Sequence, residues 1–266
     1  MKLLSKLKRI GTFYNRANTY KNIADEELSE LVYKILEDKE HSCSFNHIEN
    51  VRKALLKDEK VLNITDLGAG SSYSKKTQRT VKSIAKSALS PKWQCEVMSN
   101  LIKEFHCNNI LELGTSLGIS ASYMANANRH CTVYSLEGSE SIASIAMQTF
   151  AKLRVKNVKL VFGDFDVTLP TILQNTDVID FAFIDGNHKY KSTVKYFEMI
   201  LEKSHSKTIF IIDDIYWSQG MQQAWNDIVN HSKVTATLDF YNFGIVFLDK
   251  KYSGNYTIIN SKFKII

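Results

Sequence analysis

Apolar and polar positions along the chain follow two rhythms. Over residues 1–90 the period is helical. In ADEELSELVYKILEDK, Leu28, Leu31, Val32, Ile35 and Leu36 repeat at i, i+3, i+4, i+7 and i+8, with acidic residues opening the first turn. HIENVRKALLKD predicts a second helix. VLNITDLGAGSS then reads as an extended segment running into a glycine-rich loop, and YSKKTQRTVKSIAKSALS as a polar, basic stretch without an apolar helix face. Pro91, with Ser90 as its cap, starts a helix through KWQCEVMSNLIKEF. From about residue 109 short apolar runs alternate with helical stretches. Strands are expected at 109–113, 131–137, 158–164, 178–185 and 207–214, with helices at ASYMANAN, ESIASIAMQTFAKL and STVKYFEMILEKS between them. After the helix SQGMQQAWNDIVNH, the runs TATLDF and FGIVFLD form a hairpin turning at Tyr241-Asn242. Near-continuous apolar strands separated by amphipathic helices predict an α/β fold: a Rossmann-like, doubly wound, mostly parallel sheet ending in an antiparallel strand. The organisation expected is a helical N-terminal extension over 1–90 and a single α/β domain over 91–266.

Composition narrows the class of protein. The 266 residues are 44% hydrophobic and 23% charged with only two prolines, which argues against long disordered linkers. The first twenty residues lack the continuous apolar core of a signal peptide, and no run reaches the ~20 apolar residues of a membrane span. Cys43, Cys95, Cys107 and Cys131 are scattered without ligand-like spacing, as suits reduced thiols. A soluble cytoplasmic protein is the expectation. The net charge of +6 is spread over dispersed lysines, so no nucleic-acid partner is expected. KLLSKLKR reads as a solvated N-terminus in preference to a membrane-surface helix.

Two glycine turns compete for a ligand: ITDLGAGSS (64–72) and ILELGTSLGIS (110–120). Neither is the GxGxxG of a dinucleotide site. In the second, Glu112 precedes Gly114, Thr115, Ser116 and Gly118. An acid there repels a pyrophosphate but suits an ammonium or sulfonium, and S-adenosylmethionine carries both. Downstream, the following strands also end in acids. Glu137 is placed for ribose hydroxyls, Asp164 for an adenine amino group and Phe165 for the adenine face; Asp185 and Asp213-Asp214 follow. The upstream turn has no such sequel and is read as a loop. An NAD-dependent oxidoreductase on a similar sheet and a catalytically inactive S-adenosylmethionine-binding protein remain as alternatives. A base-nitrogen methyltransferase is disfavoured, because DGNH stands where an (N/D)PPY-like motif would.

Residues 90–250 resemble the class I S-adenosylmethionine-dependent methyltransferases. SPKWQCEVMSNLIKEFHCNNILELGTSLGISASYMA is similar to the cation-dependent catechol and caffeoyl-CoA O-methyltransferases, and FIDGNHKY with IIDD to the macrocin- and noviose-type sugar O-methyltransferases. The resemblance implies seven strands with the last antiparallel. It also implies a divalent metal (Mg²⁺, or Mn²⁺ or Ca²⁺) on Asp185, Asp213 and Asp214, with Asp185 also in the cofactor set. Three carboxylates with no basic neighbour in sequence independently call for a cation, and an all-oxygen set favours a hard one. Against this, Asp213 or Asp214 could instead cap the following helix. His188 stands where the catechol-type motif has a catalytic lysine, and its pKa range suits a general base. The expected partner is a small polyhydroxylated acceptor, a sugar or glycan before a catechol; a homodimer is compatible with the sequence. ITDLGAGSS and the following Ser71, Ser72, Lys75, Lys76, Arg79 and Lys82 are expected to form a cationic lid over that acceptor.

Overall fold

The computed structural model describes residues 2–37, 45–64, 78–261 and 264. In chain order, α1 (Lys2–Arg16) is followed by a short 3₁₀ turn (Tyr20–Asn22), α2 (Glu26–Leu36) and α3 (Asn46–Leu55). Next come β1 (Val61–Asn63), β2 (Gln78–Thr80), α4 (Val81–Ala88) and α5 (Lys92–Glu104). Strands and helices then alternate: β3 (Asn109–Leu113), α6 (Ile119–Ala127), β4 (Thr132–Glu137), α7 (Glu140–Leu153), β5 (Val158–Phe162), α8 (Phe165–Gln174), β6 (Ile179–Ile184), α9 (Tyr190–Leu201), β7 (Ser204–Asp213) and α10 (Gln219–Val229). The chain closes with β8 (Ala236–Asp239), β9 (Phe243–Phe247) and β10 (Gly254–Thr257).

Eight strands form one sheet in the order β10-β8-β9-β7-β6-β3-β4-β5. β3 pairs in parallel with both β4 and β6, and β6 in parallel with β7. Only β9 runs against its neighbours β7 and β8. The seven strands and antiparallel closing strand expected are therefore present, and β10 adds an eighth, parallel to β8. Succession along the sheet reverses at β3, so the crevice beyond the carboxyl ends of β3 and β6 is the topological switch point.

Side-chain alternation along each strand sorts the core into two layers. Ile110, Phe181, Phe183, Ile209 and Ile211 face the layer containing α2–α7. Leu111, Leu113, Ala182, Ile184, Phe210 and Ile212 face α8–α10. With both faces covered, the strands must be apolar at successive positions, as read. α2 forms as its pattern dictates: Asp25 caps it by accepting from the Leu28 N–H at 2.9 Å, and Leu28, Leu31, Val32 and Ile35 are buried. These residues, with Ile48 and Val51 of α3, belong to the same apolar cluster as Tyr123 of α6 and Phe150 of α7. The N-terminal helices thus thicken one layer of the α/β body.

Several elements differ from expectation. The stretch read as lacking an apolar helix face contains α4, which buries Val81, Ile84 and Ala85; Thr80 caps it through the Ser83 N–H. Lysines at 82 and 86 diluted its period, yet three apolar residues suffice for a helix of two turns. Ser90 does not cap α5 with its side chain; its carbonyl instead accepts from Arg52 at 2.8 Å. α8 was not foreseen because Pro170 interrupts its sequence. The edge strand β10 is protected: Asn18 bridges to Ile258, and Asp25 accepts from the backbone and hydroxyl of Ser253.

Candidate functional site at the carboxyl edge of the sheet

The turn after β3 is built by two glycines. Gly114 has φ +105°, and a Cβ there would lie 2.1 Å from the Asp185 carbonyl oxygen; the close approach joins the β3 and β6 loops. Gly118 has φ +82°, and a Cβ would meet the Phe150 ring at 2.8 Å. The N–H groups of Gly114 and Thr115 both donate to the Leu136 carbonyl, at 2.9 and 3.0 Å, pinning the turn to the end of β4. Ser116 (φ +48°), Asn187 (+59°) and Asp214 (+53°) are non-glycine residues with positive φ in the loops after β3, β6 and β7. Backbone strain of this kind concentrates where a site demands a fixed geometry. Among the described residues the Ser116 Oγ and Asn187 Oδ1 are buried without a hydrogen-bond partner, the state of groups that a bound ligand satisfies.

Glu137 ties two loops together: Oε2 accepts from the Ser116 N–H and Oε1 from the Ser139 N–H, both at 2.9 Å. The carboxylate is fixed between the starts of α6 and α7, where helix dipoles favour it. Asp164 is exposed and caps α8 through the Asp166 N–H at 2.8 Å. Phe165 lies across the β6 loop, 2.4 Å from where a Gly186 Cβ would sit, in a T-shaped contact with Tyr196. Glu112 is placed differently from the expectation of ligand contact. It is fully buried, accepting from Ser120 Oγ at 2.5 Å and from Ser135 Oγ, which also meets Thr115 Oγ1. Burial pushes its pKa up to about 7, and the two hydroxyls restrain the rise. Glu112 organises the turn from beneath.

Across the switch point lies an acidic cluster. Asp185 at the end of β6 hydrogen-bonds Asp213 at the end of β7, and Asp213 Oδ1 accepts from Gln94 Nε2 of α5 at 2.6 Å. Burial first, then the charges of Asp213 and Asp214, raise the Asp185 pKa; burial and Asp214 raise that of Asp213. His188 Nε2 stands 3.6 Å from Asp185 Oδ1 and 3.8 Å from Asp214 Oδ2. Burial lowers its pKa more than Asp214 raises it, so the ring is neutral at pH 7. Among the described residues no three His, Cys, Asp or Glu side chains stand in ligating geometry, and Asp185 and Asp213 are hydrogen-bonded to each other. The donor set nevertheless suits a hard divalent cation: three carboxylates close together, the Asp214 charge disfavouring ionisation of both Asp185 and Asp213, with oxygen donors only beside a neutral imidazole.

Around the cluster the surface is aromatic. Trp217 is 42% exposed with its ring 6.5 Å from that of His188, and Trp93, next to Gln94, is 40% exposed against Phe243. α1 reaches this side: Arg9 Nη1 donates to the Tyr216 carbonyl at 3.2 Å, and Phe13 meets Tyr241, which stacks on Tyr216. The lid expected from ITDLGAGSS has its base elsewhere. β1 and β2 pair as a ribbon, and the Asn63 carbonyl accepts from Ser141 at the start of α7, beside the Glu137 loop. Arg79 bonds Ser83 and Ser87, and Lys82 pairs with Glu59. Residues 65–77, including Ser71, Ser72, Lys75 and Lys76, lie outside the described residues. Gln94, Asn187 and Arg9 escaped the sequence reading; Gln94 meets Asp213 from 119 residues away, and no local spacing signals that contact.

Residues 111–215 match the family model of a methyltransferase domain. Fold, switch-point site and match make the chain similar to the class I S-adenosylmethionine-dependent methyltransferases. Within that class its likeness is to O-methyltransferases. It is 31% identical over 137 residues to a protein of Mycobacterium tuberculosis named a probable O-methyltransferase, covering 44% of this chain. The chain spans 58% of that relative's length. The O-methyltransferase TomG of Streptomyces achromogenes, solved with S-adenosylmethionine, shares 21% identity at a TM-score of 0.56, over 61% of this chain and 82% of its own. A Bacillus cereus O-methyltransferase with bound S-adenosylhomocysteine shares 20% at 0.58, over 83% and 96%. At these identities the structures speak for the fold. No described helix is long and apolar enough to cross a membrane.

Proposed function

We propose that the protein transfers the methyl group of S-adenosylmethionine to a hydroxyl of a small polyhydroxylated acceptor, a sugar or glycan in preference to a catechol, with a divalent cation at the acidic cluster. The observation that carries this reading is the adjacency of two preorganised halves at one switch point. The Gly114–Gly118 turn and Glu137 form one half; Asp185, His188, Asp213 and Asp214 form the other. The donor lies on the first half, its ribose hydroxyls bonded to Glu137, its adenine between Asp164 and Phe165, and its polar end against Thr115 and Ser116. Asp185 borders both halves.

The acceptor occupies the second half, between Trp93 and Trp217, whose exposed faces suit the apolar side of a ring. A cation held by Asp185, Asp213 and Asp214 would supply Lewis acidity toward neighbouring acceptor oxygens. His188, neutral and directed at the same cluster, takes the hydroxyl proton. The acceptor oxygen then forms the bond to the methyl carbon as the carbon–sulfur bond breaks. Its electron pair passes to sulfur, which leaves as neutral S-adenosylhomocysteine. Fixing donor and acceptor in line contributes several kcal/mol, on the order of that reached by well-oriented intramolecular reactions.

The test is transfer of labelled methyl from S-adenosylmethionine to a panel of sugars, nucleotide sugars, glycans and catechols, with and without EDTA. Transfer to a vicinal diol that stops on chelation is expected. Undiminished transfer by protein shown to be metal-free removes the cation from the reading, and transfer to nitrogen acceptors alone removes the O-methylation.

A further inference from the structure

Gln94 is a polar side chain in the first turn of α5 that is only 1% exposed, a costly position unless its amide is bonded. Its Nε2 donates to Asp213 Oδ1 at 2.6 Å. This bond reaches the aspartate cluster from α5, outside the β6 and β7 loops. The turn that carries Gln94 is itself anchored. Arg52 of α3, buried, donates to the Ser90 carbonyl at 2.8 Å and reaches Cys95 Sγ at 3.7 Å. Glu49 Oε1 accepts from both Arg52 Nε at 2.9 Å and Tyr123 of α6 at 2.8 Å. Further along α5, Asn100 donates to the Ile35 carbonyl of α2 at 3.1 Å. The N-terminal helices therefore grip α5 on the side away from the site, and Gln94 passes that fixed position to Asp213.

We infer that Gln94 is a positioning residue for cation binding: its bond to Oδ1 fixes the orientation of the Asp213 carboxylate within the cluster where a divalent ion would sit. Partners that orient a ligating carboxylate in this way typically change metal affinity 10- to 100-fold. The inference rests on the metal reading proposed above, and the experiment separates the two. Mn²⁺ binding to the full-length protein is measured by the loss of the free-ion paramagnetic resonance signal, and S-adenosylhomocysteine binding by calorimetry. The same is done for Gln94→Met, which keeps the length without the donor, and for Gln94→Asn, which keeps a donor too short to reach. Both variants are expected to bind Mn²⁺ about 10-fold more weakly or worse while S-adenosylhomocysteine affinity stays within about twofold. If both bind Mn²⁺ as the native protein does, the positioning role is wrong and the metal site stands. If Mn²⁺ and S-adenosylhomocysteine affinity fall together, Gln94 is a packing residue and the inference is overturned. Absence of Mn²⁺ binding by the native protein overturns both readings at once.

Discussion

Glu112 shows how one residue can be placed correctly in sequence and misjudged in role. It does precede the first glycine of the turn after β3, but alternation along β3 turns its side chain into the protein, where two serine hydroxyls hold it. Such a carboxylate has a pH signature. Its pKa in the folded protein is about 7 against an ordinary 4.5, so the folded state binds the proton more tightly than the unfolded chain. The contribution to stability is complete below about pH 4.5 and is lost as the pH rises to about 7. Glu112→Gln should therefore flatten the decline of unfolding free energy across that interval. The gain at pH 8 is on the order of 3 kcal/mol at most, read from urea unfolding at a series of pH values; a parallel decline in both proteins would contradict this. The acids at strand ends were legible because a strand's last residue necessarily reaches the carboxyl edge. Gln94 and Asn187 were not, because their significance comes from partners brought near by the fold and from a backbone angle.

At the scale of elements, the strongest periodic signals survived intact. β3 and α7 have the bounds their sequences suggest, and α2 buries four of the residues its period selected. What escaped was mostly short or interrupted, namely α4 with eight residues, α8 with Pro170 inside it and β10 with four, but also α1, a helix of 15 residues where a solvated N-terminus was expected. The first three are fixed by tertiary packing more than by local pattern. The N-terminal helices were read as an extension, and their composition alone could not show that Leu28 and Ile48 share a core with Phe181. That continuity has a measurable consequence. Leu28→Ala removes a fully buried side chain and should cost about 2–5 kcal/mol. The protein should still unfold in one transition when followed both by circular dichroism and by S-adenosylhomocysteine protection. Loss of the N-terminal helices in a separate, earlier transition would contradict a shared core.

Over the whole molecule, the topology decides where chemistry can occur. A parallel sheet whose order reverses at β3 opens a crevice at one edge only, and helices on both faces leave that edge as the place for polar groups. The five neighbouring strands β5, β4, β3, β6 and β7 bring Asp164, Glu137, the glycine turn, Asp185 and Asp213 to it in spatial order. α1 and the aromatic loops around Tyr216 and Tyr241 close the acidic end, whereas the β1–β2 ribbon rises beside α7 at the other. The account stands on the cofactor half of this edge, and one titration addresses it: S-adenosylhomocysteine added in a calorimeter to the native protein and to Glu137→Ala. Saturable one-to-one binding by the native protein is predicted, weakened at least about 10-fold in the variant, as loss of two hydrogen bonds from a fixed carboxylate requires. No saturable binding by the native protein, or equal affinity in both, would contradict it.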